Sequence, residues 1–338
     1  MPFLSSLVFF KFKIFVSLFF TFPDFFSDIK IFVFSYFFKN LKQKYLKNVN
    51  FYYLRVKIMK PKISVIMSTY MESIEQLKKS IESILNQTFK DFEFIIVIDN
   101  PKRKELKDLV NSYAKEDKRV KVLVNKKNSG VSFSLNKALK IAKADWIARM
   151  DADDFSLPTR LEKSWFYRNK ADIVFTNIVT VDDNNNVLNV PDDKQRKFLS
   201  RVNGLSKDGL VDMMLDGDFI PNPAAMFKKK LGFYDSRFRR CDDYDFWVRA
   251  VINGHKVYYI NEDLVLYTLP YVRYSLDSLG KLKRSALEEA QVLFKHRKEF
   301  KRIDSFKYYK KICLKLFYYL VGFVLYPLFI IKRHFSKL

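Results

Sequence analysis

Glycine is scarce in this chain, with eight in 338 residues. Neither G-x-G-x-x-G nor G-x-x-x-x-G-K-[ST] occurs, and the glycine that follows Gly130 is Gly204. A Rossmann dinucleotide fingerprint and a P-loop are thereby excluded, because both need glycines to bring backbone against phosphate. Cysteine is scarcer. Cys241 and Cys313 cannot build a disulfide framework, and their spacing offers no zinc site. Both read as incidental buried thiols in a reducing compartment. The three histidines, His255, His296 and His334, are scattered, and His255 directly after Gly254 reads as a turn residue. The N-terminal stretch lacks a clean apolar core and a small-residue cleavage site, so no secretory signal is expected.

What is abundant is apolar and basic. Hydrophobic residues make up 49% of the chain, which excludes disorder. Lys and Arg outnumber Asp and Glu by 61 to 37, and the excess sits at the ends. Residues 1–60 carry 10 basic and 2 acidic side chains, residues 281–338 carry 15 and 4, and the middle, 61–280, is nearly balanced. This divides the chain into an aromatic, basic N-terminal extension (1–60), a central domain (61–280) and a basic, hydrophobic C-terminal extension (281–338). A nucleic-acid arm would be basic and polar, whereas these ends are basic and greasy, so no nucleic-acid partner is expected. The apolar run 316–331 is shorter than the roughly 20 residues a spanning helix needs, and Pro327 interrupts it. It is expected to lie in the membrane interface, with flanking lysines meeting anionic headgroups. A buried extension, a subunit contact or compositional drift are the open alternatives.

The middle alternates strand and helix. Ile63 to Met67 reads as a strand; Ile74, Leu77, Ile81, Ile84 and Leu85 mark one helix face, capped by Ser73. Phe92 to Ile98 reads as a strand buried on both faces, and Leu106, Leu109, Val110 and Tyr113 as a helix. Val120 to Val124 is a third strand, Val131 to Ala142 a third helix, and Trp146 to Met150 a fourth strand ending at acids. Such alternation implies βαβ units, an α/β fold with a mostly parallel sheet and helices on both faces. Beyond it, Ile173 to Asn177 reads as a strand, Asp182 to Asn186 as a hairpin-type turn, and 191–218 shows no clear periodicity. Ligands of such sheets bind beyond the carboxyl ends of the strands. The residues expected there are Ser68 to Tyr70, Asp99 and Asn100, and Asp151, Asp153 and Asp154. An all-oxygen acid set suits Mg²⁺ or Mn²⁺, although Asp-Ala-Asp-Asp is equally a polar turn. Asp242, Asp243 and Asp245 by themselves read as the acidic first turn of a helix. Lys228 to Lys230 read as a solvated edge.

Taken in order, these segments resemble glycosyltransferase family 2, the inverting enzymes of GT-A fold, over about residues 62–269. The resemblance is carried by Ile-Ser-Val-Ile-Met-Ser-Thr-Tyr (63–70), by Ser-Ile-Leu-Asn-Gln-Thr-Phe-Lys-Asp-Phe-Glu-Phe-Ile-Ile-Val-Ile-Asp-Asn (83–100) and by Asn128-Ser-Gly130. Arg149-Met-Asp-Ala-Asp-Asp154, Pro158-Thr-Arg-Leu161 and Asp242-Asp-Tyr-Asp-Phe-Trp-Val-Arg249 complete it. It implies that Thr69 lies at the nucleotide pocket and that Asp99 accepts a hydrogen bond from the base, commonly uracil. Asp151 and Asp153 would form the DxD element, the first nearer the ribose and the second nearer the metal, with Asp154 an alternative ligand. Asp243 falls at the position of the general base. Asp242 stands where Glu is usual, Ile98-Asp99-Asn100-Pro101 replaces the common Asp-Asp-Gly-Ser, and Thr268 stands where Arg often follows, with Arg273 a candidate substitute.

The resemblance implies a metal-dependent (Mn²⁺ or Mg²⁺) transfer from a nucleotide-sugar donor to a glycan or lipid-linked acceptor, in surface polysaccharide or lipopolysaccharide assembly. The place of work would be the cytoplasm, peripheral at the inner face of the cell membrane. A carboxylate base with a pKa raised toward neutrality suits a single in-line displacement, and neighbours Asp242 and Asp245 are expected to push Asp243 that way. A nucleotidyltransferase can share such a sheet and acids, and is the rival enzyme class; a non-enzymatic basic module that binds membrane or nucleic acid is the other alternative.

Overall fold

A computed structural model describes residues 60–184, 186–269 and 277–335, with side chains through 269 and from 284 to 320. The readings for residues 1–59 and for Arg273 lie outside them. Among the described residues nine strands form one sheet in the order β3-β2-β1-β4-β8-β6-β9-β5, with β7 paired to β6. Strands β1 (Ile63–Thr69), β2 (Phe92–Ile98), β3 (Val120–Val124) and β4 (Trp146–Arg149) run parallel. Between them pass α1 (Ile74–Leu85), α2 (Lys104–Glu116) and α3 (Val131–Ile141). Every residue of β1 and β2 is buried. Their side chains alternate between two cores: Val65 and Phe94 pack with Leu77 and Ile81 of α1, whereas Ile66 and Ile95 pack with Leu135 and Leu139 of α3.

The rest of the sheet departs from the parallel pattern. After β5 (Phe155–Ser156) and α4 (Arg160–Tyr167), β6 (Ile173–Val181) and β7 (Val187–Asn189) form a hairpin across the expected 182–186 turn. Then come α5 (Asp193–Ser200), α6 (Lys207–Asp216) and β8 (Ala225–Lys228), which is antiparallel to β4 and β6. Helix α7 (Asp242–Ile252) leads to β9 (Val257–Thr268), parallel to β6. The β6–β9 register slips twice: Thr176 faces Ile260, Asn177 faces Asp263, and Ile178 faces Val265. Three extra residues of β9 are absorbed there, which bends its far end toward β5.

The stretch 191–218, which shows no clear periodicity in the sequence, holds α5, capped by Asp192, and α6, capped by Ser206. Leu210, Val211, Met213, Met214 and Leu215 of α6 are all buried, so burial on several sides erases the one-faced period.

The C-terminal segment folds as α8 (Asp277–Lys295), α9 (Arg297–Ile303) and α10 (Ser305–Phe335). Val292, Leu293, Phe300 and Tyr308 enter the same core as α3 and α7. The chain from 59 onward is accordingly one compact unit, and the segment after 280 begins inside it. Farther along α10, Phe317 and Leu320 are exposed. Among the described residues no helix is long and apolar enough to cross a membrane. Cys241 is buried as expected, but Cys313 is exposed, because it lies on the part of α10 that leaves the core.

Candidate functional site

The strand order 3-2-1-4 reverses between β1 and β4, so the crevice beyond their carboxyl ends is the topological switch point. At the end of β1, Thr69 is buried, and its hydroxyl donates to Glu72 Oε2 at 2.7 Å. The same oxygen accepts Tyr70 N–H at 2.7 Å, which pins the turn. At the end of β2, Asp99 is 2% exposed. Its Oδ1 accepts from Asn125 Nδ2 at 2.7 Å and Ser129 N–H at 2.8 Å, and its Oδ2 from Gly130 N–H at 2.8 Å. Gly130 takes φ 92°, a conformation glycine adopts without strain, and so turns its amide to the carboxylate. Asp99 thus organises the 125–130 loop, and its Oδ2 keeps a lone pair.

At the end of β4, Arg149 is buried and ion-paired to Asp151. Two residues on, Asp153 and Asp154 line a cleft of about 760 Å³ that also includes Lys79, Arg103 and Thr268. Asp154 is 2% exposed; its Oδ1 accepts Thr268 N–H at 2.9 Å, and its Oδ2 has no hydrogen-bond partner. Burial first, then repulsion from Asp151 and Asp153, pushes its carboxyl well above the ordinary carboxylate range. A buried, orphaned carboxylate oxygen beside two further acids fits a hard divalent cation. Among the described residues no set of three or more acids, His or Cys is grouped closely enough to hold a metal alone. Mg²⁺ and Mn²⁺ usually take one or two carboxylates and leave positions for phosphate oxygens.

The second acidic group opens α7. Asp242 is buried and accepts Ser132 Oγ at 2.8 Å. Half-buried Asp243 accepts Tyr244 N–H on Oδ1 at 2.8 Å. Its pKa is pushed up to about 7, by burial first and then by the charges of Asp242 and Asp151, against the opposing pull of Arg149. The acids after β4 and those of α7 are therefore in electrostatic contact through Asp151. Asp245 does not take part as expected. It is fully buried on another side of α7 and bound by Arg249 Nε at 2.8 Å, Lys295 Nζ at 2.6 Å and His296 Nε2 at 3.0 Å. Against burial, those three hydrogen-bond partners hold it low and leave Asp243 to be raised by Asp242 and Asp151.

Sequence reasoning missed Asp218, whose carboxyl is pushed upward by burial and then by Asp243, with Glu289 and Asp242 adding to it. It lies just past α6, in the stretch without periodicity, and nothing in its neighbours signalled it. His296 was also unassigned, because its partner Asp245 is 51 residues away. Lys228 and Lys230 pair with Asp172, to which His255 Nδ1 also comes within 3.3 Å. They are an ion-paired edge, away from the acids.

The family profile of Glycosyl transferase family 2 matches residues 64–234, a span that contains Thr69, Asp99 and Asp151 to Asp154 but stops short of Asp243. The chain is 37% identical over 283 residues to an uncharacterized glycosyltransferase of Methanocaldococcus jannaschii, covering 81% of this chain and 92% of that one. It is 35% identical over 195 residues to the O-antigen biosynthesis glycosyltransferase WbnJ of Escherichia coli, covering 56% of this chain and 71% of that one. Among solved structures, the mannosyltransferase PcManGT of Pyrobaculum calidifontis, in complex with GDP-Man and Mn²⁺, superposes with a TM-score of 0.58 at 15% identity. That match covers 78% of this chain and 74% of the other, and it shows a shared GT-A fold. With a sheet of this topology, the acids at its switch point, and a family match over half its length, the chain belongs to glycosyltransferase family 2.

Proposed function

We propose that the protein transfers a sugar from a nucleotide-sugar donor, most simply a UDP-sugar, to a hydroxyl of a glycan or lipid-linked acceptor with inversion, in surface-polysaccharide assembly. The observation that carries this reading is the meeting of the two acidic groups at the switch point, with Asp243 near neutrality and Asp154 Oδ2 unpartnered. The Escherichia coli relative is named for O-antigen biosynthesis. Solved neighbours hold GDP-Man with Mn²⁺ or, in the Staphylococcus aureus TarS complex at TM-score 0.51 and 17% identity, UDP-GlcNAc.

In this reading the nucleotide lies beyond β1 and β2, with Thr69 shaping the turn and Asp99 offering its remaining Oδ2 lone pair to the base. Asp151, fixed by Arg149, faces the ribose side. Asp153 and Asp154 would hold Mn²⁺ or Mg²⁺, which when bound supplies Lewis-acid neutralisation of the diphosphate. Asp243 accepts the proton of the acceptor hydroxyl while that oxygen attacks the anomeric carbon opposite the departing diphosphate. One displacement with one base inverts configuration, so no second carboxylate nucleophile is required.

The acceptor reading follows from α10. Exposed Phe306, Phe317 and Leu320 stand beside the exposed Lys310, an apolar and basic surface that suits the inner face of the cell membrane and a lipid-carried acceptor. The deciding experiment incubates the protein with UDP- and GDP-sugars, with Mn²⁺ and with EDTA, and analyses the products. Nucleoside diphosphate release that needs the metal is expected. Pyrophosphate release from an NTP and a sugar phosphate would mark a nucleotidyltransferase and overturn the reading.

A further inference from the structure

The residues that lead into the base-bearing helix are held from outside their own segment. Arg239, Arg240 and Cys241 precede α7, and their consecutive backbone N–H groups donate to one atom, Oε2 of Glu288 on α8, at 2.9, 2.8 and 3.1 Å. Successive amides converging in this way make an anion-binding concavity, filled here by the protein's own carboxylate. Cys241 Sγ adds a contact to Ser285 O at 3.6 Å. Past Asp243, the buried Asp245 is gripped by Lys295 at the end of α8 and by His296 just after it. Lys295 also reaches Asp235 Oδ2 at 2.9 Å.

Ser285, Glu288, Val292 and Lys295 recur at i, i+3, i+7 and i+10, one face of a helix, and Val292 is fully buried between the polar grips. Helix α8 therefore clamps residues 239–245 at both ends, and Asp243 lies between the clamps. A general base must come within hydrogen-bond reach of the proton it takes, and a misplacement of about 1 Å can cost about 100-fold in rate. We propose that Glu288 is a positioning residue for Asp243: by closing the 239–241 amides around one oxygen it fixes the entry to α7 and hence where the Asp243 carboxylate meets the acceptor hydroxyl. The inference rests on Asp243 as the base. It gives the segment after 280 a catalytic duty separate from any membrane contact.

The test uses the full-length chain carrying Glu288→Ala, Glu288→Gln or Asp243→Asn. Turnover is read as nucleoside diphosphate release from UDP-glucose, UDP-galactose, UDP-GlcNAc and GDP-mannose, and amide exchange by mass spectrometry. E288A is expected to speed exchange at 239–243 but not in β1, and to lower kcat about 10- to 100-fold with donor KM within about twofold of wild type. E288Q, which keeps an acceptor oxygen for the amides, should recover most of the kcat. Unchanged exchange at 239–243 in E288A overturns the proposal without any donor being needed. A loss carried by donor KM, or a kcat within about twofold of wild type, also overturns it. D243N separates the two claims: if D243N is inactive while E288A turns over normally, only the role of Glu288 falls. If D243N still turns over, the base assignment itself is wrong.

Discussion

Two aspartates two residues apart on α7, Asp243 and Asp245, are driven in opposite directions by their surroundings. Asp243, raised to about 7, must lose its proton to act, so kcat should fall about tenfold per pH unit below that value and level off above it. A pH–rate profile on saturating donor checks this. Because the folded chain holds that proton more tightly than the unfolded one, Asp243 costs stability increasingly as pH rises from the ordinary carboxylate range through about 7. Asp243→Asn should accordingly melt higher than wild type at pH 8, with the gap closing near pH 4, while kcat drops by about 10² to 10⁴-fold and donor binding persists. Asp245 behaves in the reverse sense. Its carboxylate is held low by His296, Lys295 and Arg249 against burial, so its stabilisation is present above the unfolded carboxylate pKa and is lost as pH falls through the lowered folded value. Asp245→Ala removes the buried acceptor shared by Arg249, Lys295 and His296 and should cost about 3–5 kcal/mol in urea unfolding at neutral pH.

Among the elements, α10 separates packing from exposure along its length. Lys307 and Lys311 reach back to Asp212 and Asp216 of α6, whereas Phe317 and Leu320 are more than half exposed. Replacing Phe306, Phe317 and Leu320 with serine should leave the melting temperature and turnover on a soluble acceptor nearly unchanged while flotation with anionic liposomes is lost. The first four strands and three helices were legible in the sequence because each shows a clean period of 2 or 3.6 or a fully apolar run, bounded by a cap such as Ser73. Helix α6 was not, since it is covered on several sides, and the clamp by α8 was not, since Glu288 meets Arg239 across 49 residues. The acids after β4 and on α7 could be named from their motifs. Which of them share a field, and that Asp245 turns aside to Lys295, is set by packing that no local spacing encodes.

For the molecule as a whole, the net charge of +24 is concentrated toward termini whose sequences are also rich in apolar residues. Association with anionic vesicles should weaken as salt rises from about 0.05 to 0.5 M, since exposed charges are screened while buried apolar contacts are not. Catalysis should respond to a different agent. EDTA is expected to abolish turnover and Mn²⁺ to restore it, with membrane binding untouched, because the chelator removes the divalent ion and leaves the lysines and apolar side chains as they were.

The double slip between β6 and β9 ties these parts together. Three surplus residues in β9 decide which of its later amides face β5, and through that choice Thr268 N–H is delivered to Asp154. Removing a single residue between 261 and 263 would swap the two edges of the strand beyond it, so the acid beside the cleft would lose its backbone donor although no side chain near it had been altered. The residue count of β9 is in this sense a setting of the carboxylate its end meets.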